Sequence, residues 1–234
     1  MHTSSKSELP KLSLQYLLRK PKTAISAPPF ILLLHGFGSN EADLFDLADD
    51  IPPEFLVISV RAPRVLAEGQ YAWFDLDFLS GEPIHDKVQA EESRHVLKRF
   101  IDEVVKEFPV DTSRIFLIGF SQGAIMSASV ALTHPTLVKG IGLLSGRILE
   151  EIKPHVAATR AIAKLKVFLA HGILDHVLPI RHAREAKAYL EELGVDLTYN
   201  EYPIPHAISR HEQIALLEWL MTPEPIPYLT ANYT

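Results

Sequence analysis

The sequence RIFLIGFSQG, residues Arg114–Gly123, decides the fold class of this chain. Its first half is a short apolar run typical of a buried strand, and a helical pattern begins at Gln122. The motif Gly119-Phe120-Ser121-Gln122-Gly123 stands at this strand-to-helix turn. Such a turn raises the serine hydroxyl above the sheet, and the strand and helix approach so closely that glycine is needed two positions away on either side. The pattern predicts a nucleophile elbow with Ser121 as nucleophile; the alternative is an incidental serine in a glycine-containing turn.

Short apolar runs and amphipathic stretches alternate from residue 30 to residue 221. This alternation predicts an α/β fold with a mostly parallel central sheet and helices on both faces. The predicted strands are Lys11–Arg19 at an edge, Phe30–His35, Phe55–Val60, Arg114–Phe120, Val138–Ser145, Lys166–His171 and Leu197–Tyr202. The predicted helices are Asp86–Phe108, Gln122–His134, Ile180–Leu193 and a last helix from Ser209, with Glu212 as capping-box partner, to Met221. We expect a single domain over residues 1–234, with its core at about 10–221 and a proline-rich tail at 222–234 that wraps the surface or frays.

A serine nucleophile needs a histidine that takes its proton and a carboxylate that orients the histidine. When the serine stands in an elbow of this kind, the chain order is serine, acid, histidine, each after a strand. Asp175 follows the strand Lys166–His171, and His206 follows Leu197–Tyr202, just before the last helix. We therefore predict a Ser121, Asp175 and His206 triad. His176 and His211 are the competing histidines, but one adjoins the acid and the other lies in a helix.

The loop after the first buried strand, His35-Gly36-Phe37-Gly38, is where such enzymes place a backbone donor for the oxyanion. We assign the oxyanion hole to the amides of Phe37 and Gln122. His35 and His171 end strands and are expected to order their loops by local hydrogen bonds. Neither has metal-ligand spacing, so no metal is expected. The aromatic segment Tyr71–Phe78 is predicted to be a loop that forms an acyl pocket or lid; a small packing cluster is the alternative for Phe74 and Phe78.

The composition limits the classes of partner. The 234 residues include 23 basic and 29 acidic side chains, with a net charge of −6 and no basic run, so nucleic-acid binding is not expected. There is no cysteine, which excludes disulfides and thiolate metal sites. Residues 1–15 lack an apolar signal core, and the apolar run at 30–34 is much shorter than the roughly 20 residues of a membrane span. These features favour a cytoplasmic protein with no integral membrane segment.

Several motifs in one order resemble the phospholipase/carboxylesterase family, which includes bacterial carboxylesterases and acyl-protein thioesterases. They cover roughly residues 30 to 220 and comprise Leu33–Gly38, Arg61-Ala62-Pro63, Trp73-Phe74-Asp75, Gly119–Ala124, Ser145-Gly146, His171-Gly172 with Asp175 and Pro179, and His206. The resemblance implies an α/β-hydrolase fold without a large cap domain and a carboxylic ester hydrolase that needs no cofactor. It also implies that the acyl chain of a small-molecule ester binds near Trp73 and Leu178.

The chain departs from the family at two places that flank the predicted site. Pro205 stands where the family usually has glycine before the histidine, and residues 147–164 do not follow the usual pattern. Both departures bear on the shape of the substrate. A thioesterase or lysophospholipase with the same triad, and a binding protein of the same fold without the chemistry, remain as alternatives. The residues leave open whether the chain forms a homodimer.

Overall fold

The computed structural model describes residues 9–77, 84–157 and 159–222. Within these ranges the central sheet has seven strands, which are β1 (Tyr16–Arg19), β2 (Phe30–Leu34), β3 (Leu56–Val60), β4 (Ile115–Phe120), β5 (Gly140–Leu144), β6 (Lys166–Gly172) and β7 (Asp196–Tyr202). Their spatial order is β1-β3-β2-β4-β5-β6-β7. Only β1 runs antiparallel among these described strands, where it pairs with β3 at the edge. The predicted mostly parallel sheet is confirmed, and the predicted strands form close to their expected bounds except at the edge, where the strand predicted over Lys11–Arg19 begins only at Tyr16.

Four longer helices connect these strands. They are α1 (Lys87–Glu107), α2 (Gln122–Thr133), α3 (Arg181–Leu193) and α4 (Arg210–Met221). The ends follow from local chemistry, since Asp86 accepts hydrogen bonds from the first turn of α1 and Gly194 adopts a left-handed φ of 71° after α3. The predicted capping box of Ser209 and Glu212 is present at the start of α4.

Helices cover both faces of the sheet. Alternate side chains of β2 point to opposite sides, as the period of a strand requires. Leu32 belongs to the same buried cluster as Phe100 of α1, whereas Ile31 belongs to the cluster that contains Trp219 of α4. The fold is therefore the α/β-hydrolase arrangement, with the loops at the carboxyl ends of β2, β4, β5, β6 and β7 gathered at one end of the sheet.

The segment that was predicted as an aromatic loop contains short strands instead. Arg64–Ala67 pairs with Gln70–Ala72, and Leu76–Asp77 pairs with Ile84–His85, both antiparallel. Strands of two to four residues are too short for a period to be read from the sequence, which is why they were missed. Phe78 and residues 223–234 of the predicted tail lie outside the described residues.

Candidate active site

Ser121 lies at a strained turn between β4 and α2. Its backbone has φ 53° and ψ −116°, a region that non-glycine residues rarely adopt. A Cβ atom added to Gly119 would lie 2.3 Å from the carbonyl carbon of Gly123, and one added to Gly123 would lie 2.0 Å from the carbonyl oxygen of Leu34. Both positions therefore require glycine, because β4, β2 and α2 meet there without room for a side chain.

His206 bridges Ser121 and Asp175. Its Nε2 is 3.0 Å from the Ser121 hydroxyl oxygen, and its Nδ1 is 2.6 Å from Oδ2 of Asp175. An ionised carboxylate can only accept, so Nδ1 carries the proton and Nε2 accepts from the serine hydroxyl. The ring also packs on Phe120, with centroids 4.9 Å apart. The competing His176 is exposed, which leaves His206 as the imidazole that contacts Ser121.

Asp175 is fixed by its own loop. The carboxylate is buried, and Oδ1 accepts hydrogen bonds from the amides of Val177 at 2.9 Å and Leu178 at 2.7 Å. These bonds occupy one oxygen and leave Oδ2 directed to His206. Because amides of its own loop supply these hydrogen bonds, the orientation of the Asp175 carboxylate does not depend on His206.

His171 contacts the same loop from the end of β6. Its Nε2 donates to the Leu178 carbonyl at 2.7 Å and lies 3.3 Å from Oδ2 of Asp175. Burial lowers the pKa of His171, so the ring is neutral and Nε2 carries its proton. In the described part of the chain, Nδ1 of this ring is buried with no hydrogen-bond partner. The expected local ordering role is confirmed.

His35 has the corresponding role at the end of β2. Its Nδ1 donates to the Gly36 carbonyl at 2.7 Å, and its Nε2 accepts from the Ala62 amide at 3.0 Å. Burial lowers the pKa of His35 as well, so it stays neutral. Both nitrogens are occupied, which makes this histidine a structural link between two loops.

The two predicted oxyanion donors lie beside Ser121. Gln122 is the first residue of α2, where an amide has no acceptor within its own helix. Phe37 lies in the loop after β2 and lines the same cavity as Ser121. The helix start also gives this position a positive dipole end. The arrangement suits an oxygen that gains negative charge next to the serine.

A narrow cavity of about 60 Å³ adjoins Ser121. Its lining residues are Phe37, Phe74, Leu76, Ser121, Gln122, Ile125, Arg147, Val177, Leu178, Pro179 and His182. Most of these side chains are apolar, as is typical of a pocket for an acyl group. Leu178 lines the cavity, in keeping with the sequence expectation.

The placement of Trp73 differs from the expectation that it contacts substrate. Trp73 is fully buried and lies outside the cavity wall, whereas its neighbour Phe74 lines it. The Trp73 indole donates to the His35 carbonyl at 3.0 Å. The Gln122 side chain accepts from the Trp73 amide and donates to the Phe74 carbonyl, both at 2.7 Å. Trp73 is thus an anchor that turns Phe74 toward the cavity.

Sequence reasoning missed Arg147 and His182 as cavity residues. Arg147 follows Ser145-Gly146 at the carboxyl end of β5, so the rule that sites form at strand ends was a signal that could have found it. Nothing in the sequence pointed to His182, which is the second residue of α3. The helix was predicted from the spacing of its apolar residues, and that spacing does not show what its first turn contacts. Only the fold brings that helix start to Ser121.

A larger depression of about 960 Å³ lies elsewhere. It is lined by Lys166 and Asp196, the first residues of β6 and β7, so it is at the amino ends of the strands and away from Ser121. Across residues 9–77, 84–157 and 159–222, no group of three or more histidine, aspartate or glutamate side chains is arranged to hold a metal ion. Among the described helices, none combines the length and apolar composition that a membrane span needs.

Known proteins resemble this chain over most of its length. A model of the phospholipase/carboxylesterase family matches residues 22–222. Esterase YpfH of Escherichia coli K12 is 30% identical over 200 residues, covering 81% of this chain and 81% of that protein. Acyl-protein thioesterase 1 of Mycosarcoma maydis is 29% identical over 224 residues, covering 85% and 92%. The crystal structure of the Bacillus cereus carboxylesterase has a TM-score of 0.76 at 28% identity, covering 89% and 93%.

Proposed function

Because the chain belongs to the phospholipase/carboxylesterase family, we propose that it cleaves carboxylic esters with Ser121 as nucleophile, His206 as general base and Asp175 as the group that orients the base. The observation that carries the proposal is the unbroken line of hydrogen bonds from the Ser121 hydroxyl through both ring nitrogens of His206 to Asp175. Such a line is what a weak nucleophile needs in order to lose its proton as it attacks.

The first half of the reaction forms an acyl-enzyme. The Ser121 oxygen attacks the ester carbonyl carbon while its proton passes to Nε2 of His206, and the carbonyl electron pair moves to the oxygen. Asp175 stabilises the imidazolium without taking the proton. The tetrahedral intermediate collapses when the bond to the alkoxy oxygen breaks, and His206 gives its proton to the departing alcohol.

The amides of Phe37 and Gln122 hold the oxyanion in this proposal. Gln122 is fixed by the two side-chain bonds that it makes to the Trp73-Phe74 segment. The loss of one oxyanion donor typically costs about 2.7–4 kcal/mol of transition-state stabilisation. Water then attacks the acyl-enzyme with His206 as base again, and the acid leaves as Ser121 recovers its proton.

Thioester hydrolysis by the same residues is a second candidate function. It is favoured by the likeness to an acyl-protein thioesterase from Mycosarcoma maydis. The cavity of about 60 Å³ beside Ser121 fits a short acyl group better than a long chain. Rates with ester and thioester substrates of equal acyl length, from two to sixteen carbons, separate the two functions.

The direct test replaces Ser121. We expect Ser121→Ala to lower kcat for p-nitrophenyl acetate by about a thousandfold or more and to abolish labelling by a fluorophosphonate probe, because the Ser121 hydroxyl is the one that meets His206 among the described residues. Ser113→Ala is the matched control, since this exposed serine precedes the amino end of the same strand. Retention of a tenth of the activity by Ser121→Ala would rule out the assignment. A wild-type chain that neither hydrolyses esters nor reacts with the probe would be a binding protein.

A further inference from the structure

The cavity beside Ser121 contains one arginine among apolar neighbours. Arg147 lines it together with Phe74, Ile125 and Leu178. The guanidinium keeps its charge at any ordinary pH. Placing a cation in an apolar acyl pocket costs free energy unless an anion meets it there, because burial removes its hydration.

No carboxylate among the described residues forms an ion pair with Arg147. Its Nη2 donates to Nδ1 of His85 at 3.2 Å, and its Nε is buried without a hydrogen-bond partner in the described chain. Burial lowers the pKa of Arg147, and the charge of Glu151 opposes this. Nε is out of reach of a ligand, but among the described residues the guanidinium makes one hydrogen bond and no ion pair, so N–H groups of Nη1 and Nη2 are left for a ligand.

Arg147 is held in one orientation by a relay of side chains. Nε2 of His85 donates to Glu151, so Nδ1 of the same ring is the acceptor for Arg147. The His85 ring also packs edge-on against Phe74, with centroids 5.6 Å apart. Glu151 thus orients Arg147 through His85, and its charge also acts on the guanidinium through space. A relay of this kind preorganises a cation for a ligand.

The backbone that carries Arg147 is also fixed. Ser145 has a φ of 51°, a left-handed conformation that serine rarely adopts. A Cβ added to the next residue, Gly146, would lie 2.5 Å from Cβ of Ala124 in α2. The strained turn is pressed onto the helix that begins at the elbow, so Arg147 emerges beside Ser121. Strain persists where the surrounding structure over-determines it, which is common at functional sites.

Other titratable groups near the cavity are His182, Glu185 and Glu151. His182 also lines the cavity, and its pKa is lowered by burial first and then by the charges of Arg147 and Arg181, so it is neutral. Glu185 lies 3.7 Å from His182 but its side chain is 70% exposed. Glu151 bonds to His85 and offsets part of the charge of Arg147. Among the described residues that line the cavity, Arg147 is therefore the side chain that carries a positive charge.

From these contacts we propose that Arg147 is a carboxylate subsite, so that the hydrolase proposed above prefers short acyl groups that end in a carboxylate. The inference rests on the proposed function and names its substrate class, a half-ester of a small dicarboxylic acid. A carboxylate matches the planar fork of a guanidinium. The cavity volume of about 60 Å³ favours a short spacer between the carboxylate and the scissile carbonyl.

The test compares two esters with one alcohol. Monoethyl succinate and ethyl butyrate differ in the terminal group of a four-carbon acyl chain, a carboxylate or a methyl, and a pH-stat follows both. We expect wild-type kcat/KM to be about tenfold or more higher for the succinate ester. We expect Arg147→Gln to lower the succinate-to-butyrate ratio by about tenfold or more, and Arg147→Lys to lower it less, because a charged hydrogen bond is worth at least that factor.

A matched control separates the subsite from general electrostatics. Arg99→Gln removes the same charge from an exposed position in α1 and should leave both rates unchanged. Ester hydrolysis that depends on Ser121 but shows no succinate preference, or a ratio that Arg147→Gln leaves unchanged, would overturn the subsite while sparing the proposed function. An equal change in Arg99→Gln would overturn it as well.

A binding measurement keeps the subsite testable if no ester is hydrolysed. Succinamate and butyramide carry an amide in place of the ester and differ in the same terminal group. Saturation-transfer NMR should detect succinamate on the wild-type chain and on Ser121→Ala, and should lose it on Arg147→Gln. Equal signals for succinamate and butyramide, or succinamate binding that survives Arg147→Gln, would contradict the subsite whatever the outcome of the activity assays.

Discussion

Asp175 illustrates how much one side chain decides at the residue scale. Its Oδ1 accepts from two loop amides, and its Oδ2 faces both the Nδ1 of His206 and the Nε2 of His171. Every group that approaches the carboxylate is a donor. The residue must therefore be an acceptor on both oxygens, and this fixes the tautomer in which His206 presents Nε2 to Ser121.

Replacing this acid with its amide tests that argument. In Asp175→Asn the loop amides keep the oxygen, so the new NH₂ faces His206 and favours the wrong tautomer. We expect kcat for a p-nitrophenyl ester to fall by about 10⁴ while the free energy of unfolding changes far less. Steady-state kinetics and urea unfolding measure the two quantities.

Asp196→Asn serves as the control, because Asp196 is exposed at the first residue of β7, at the far end of the sheet. Its kcat should match that of the wild type. If Asp175→Asn kept a tenth of the wild-type kcat, the orienting role would be wrong.

At the scale of elements, the junction of β2, β4 and α2 sets where the nucleophile stands. Gly119 and Gly123 allow contacts that no side chain would tolerate, and Ser121 takes a strained backbone between them. The strain is held because β4 is hydrogen-bonded on both sides and the Ser121 amide donates to the Leu144 carbonyl at 2.8 Å. Two elements thus position the serine jointly.

Adding one methyl group at Gly123 should disrupt the packing of α2 against β2. In Gly123→Ala the new Cβ would meet the backbone oxygen of Leu34, which cannot move without disturbing β2. We expect a loss of about 3 kcal/mol or more in the free energy of unfolding, at the upper end of overpacking effects, together with loss of esterase activity. Urea denaturation measures the first.

Gly69→Ala distinguishes crowding from backbone preference. Gly69 has a φ of 73° but has open space around its Cα, so alanine there should cost about 1 kcal/mol, from conformation alone. Equal losses in the two variants would show that the close approach at Gly123 does not limit stability.

For the whole molecule, we expect one buried acid, Glu212, to make the free energy of unfolding depend on pH. Glu212 in the first turn of α4 is fully buried. Burial raises its pKa from 4.5 to about 7, and a hydrogen bond from the Ser209 amide opposes the rise. Its Oε1 has no partner among the described residues. Between these two pKa values the folded chain holds a proton that the unfolded chain has released.

The sign of the effect follows from proton linkage. The contribution of Glu212 to the free energy of unfolding is fully present below pH 4.5 and is lost as the pH rises to about 7, amounting to about 3 kcal/mol. Glu212→Gln cannot titrate. We expect the free energy of unfolding of the variant minus that of the wild type to be about 2 kcal/mol larger at pH 8 than at pH 5, as measured by urea titration at both pH values.

Glu218 in the same helix is exposed, so Glu218→Gln is the control. Its free energy of unfolding should differ from that of the wild type by the same amount at both pH values. If the Glu212→Gln difference were also independent of pH, the ionised carboxylate would have to be accommodated in the fold at no cost.

The strands, the main helices and the strand-to-helix turn at Ser121 could be predicted from the residues alone, and so could the order in which Ser121, Asp175 and His206 follow their strands. These features are local or sequential. Each of the patterns used depends on residues within one turn or one strand. They are a buried run of five residues, a capping box and a pair of glycines two positions from a serine. Chain order then follows because parallel strands deliver their loops to the same end of the sheet.

The tertiary structure alone decided which side chains surround the serine. Ser121 and His206 are 85 positions apart, and Arg147 meets His85 across 62 positions. No periodicity relates such residues, since a pattern reports neighbours within a few positions. The burial of Trp73 and the turning of Phe74 to the cavity depend on bonds to Gln122 and His35 from other loops. Packing between distant loops, rather than any local propensity, set the shape and charge of the pocket.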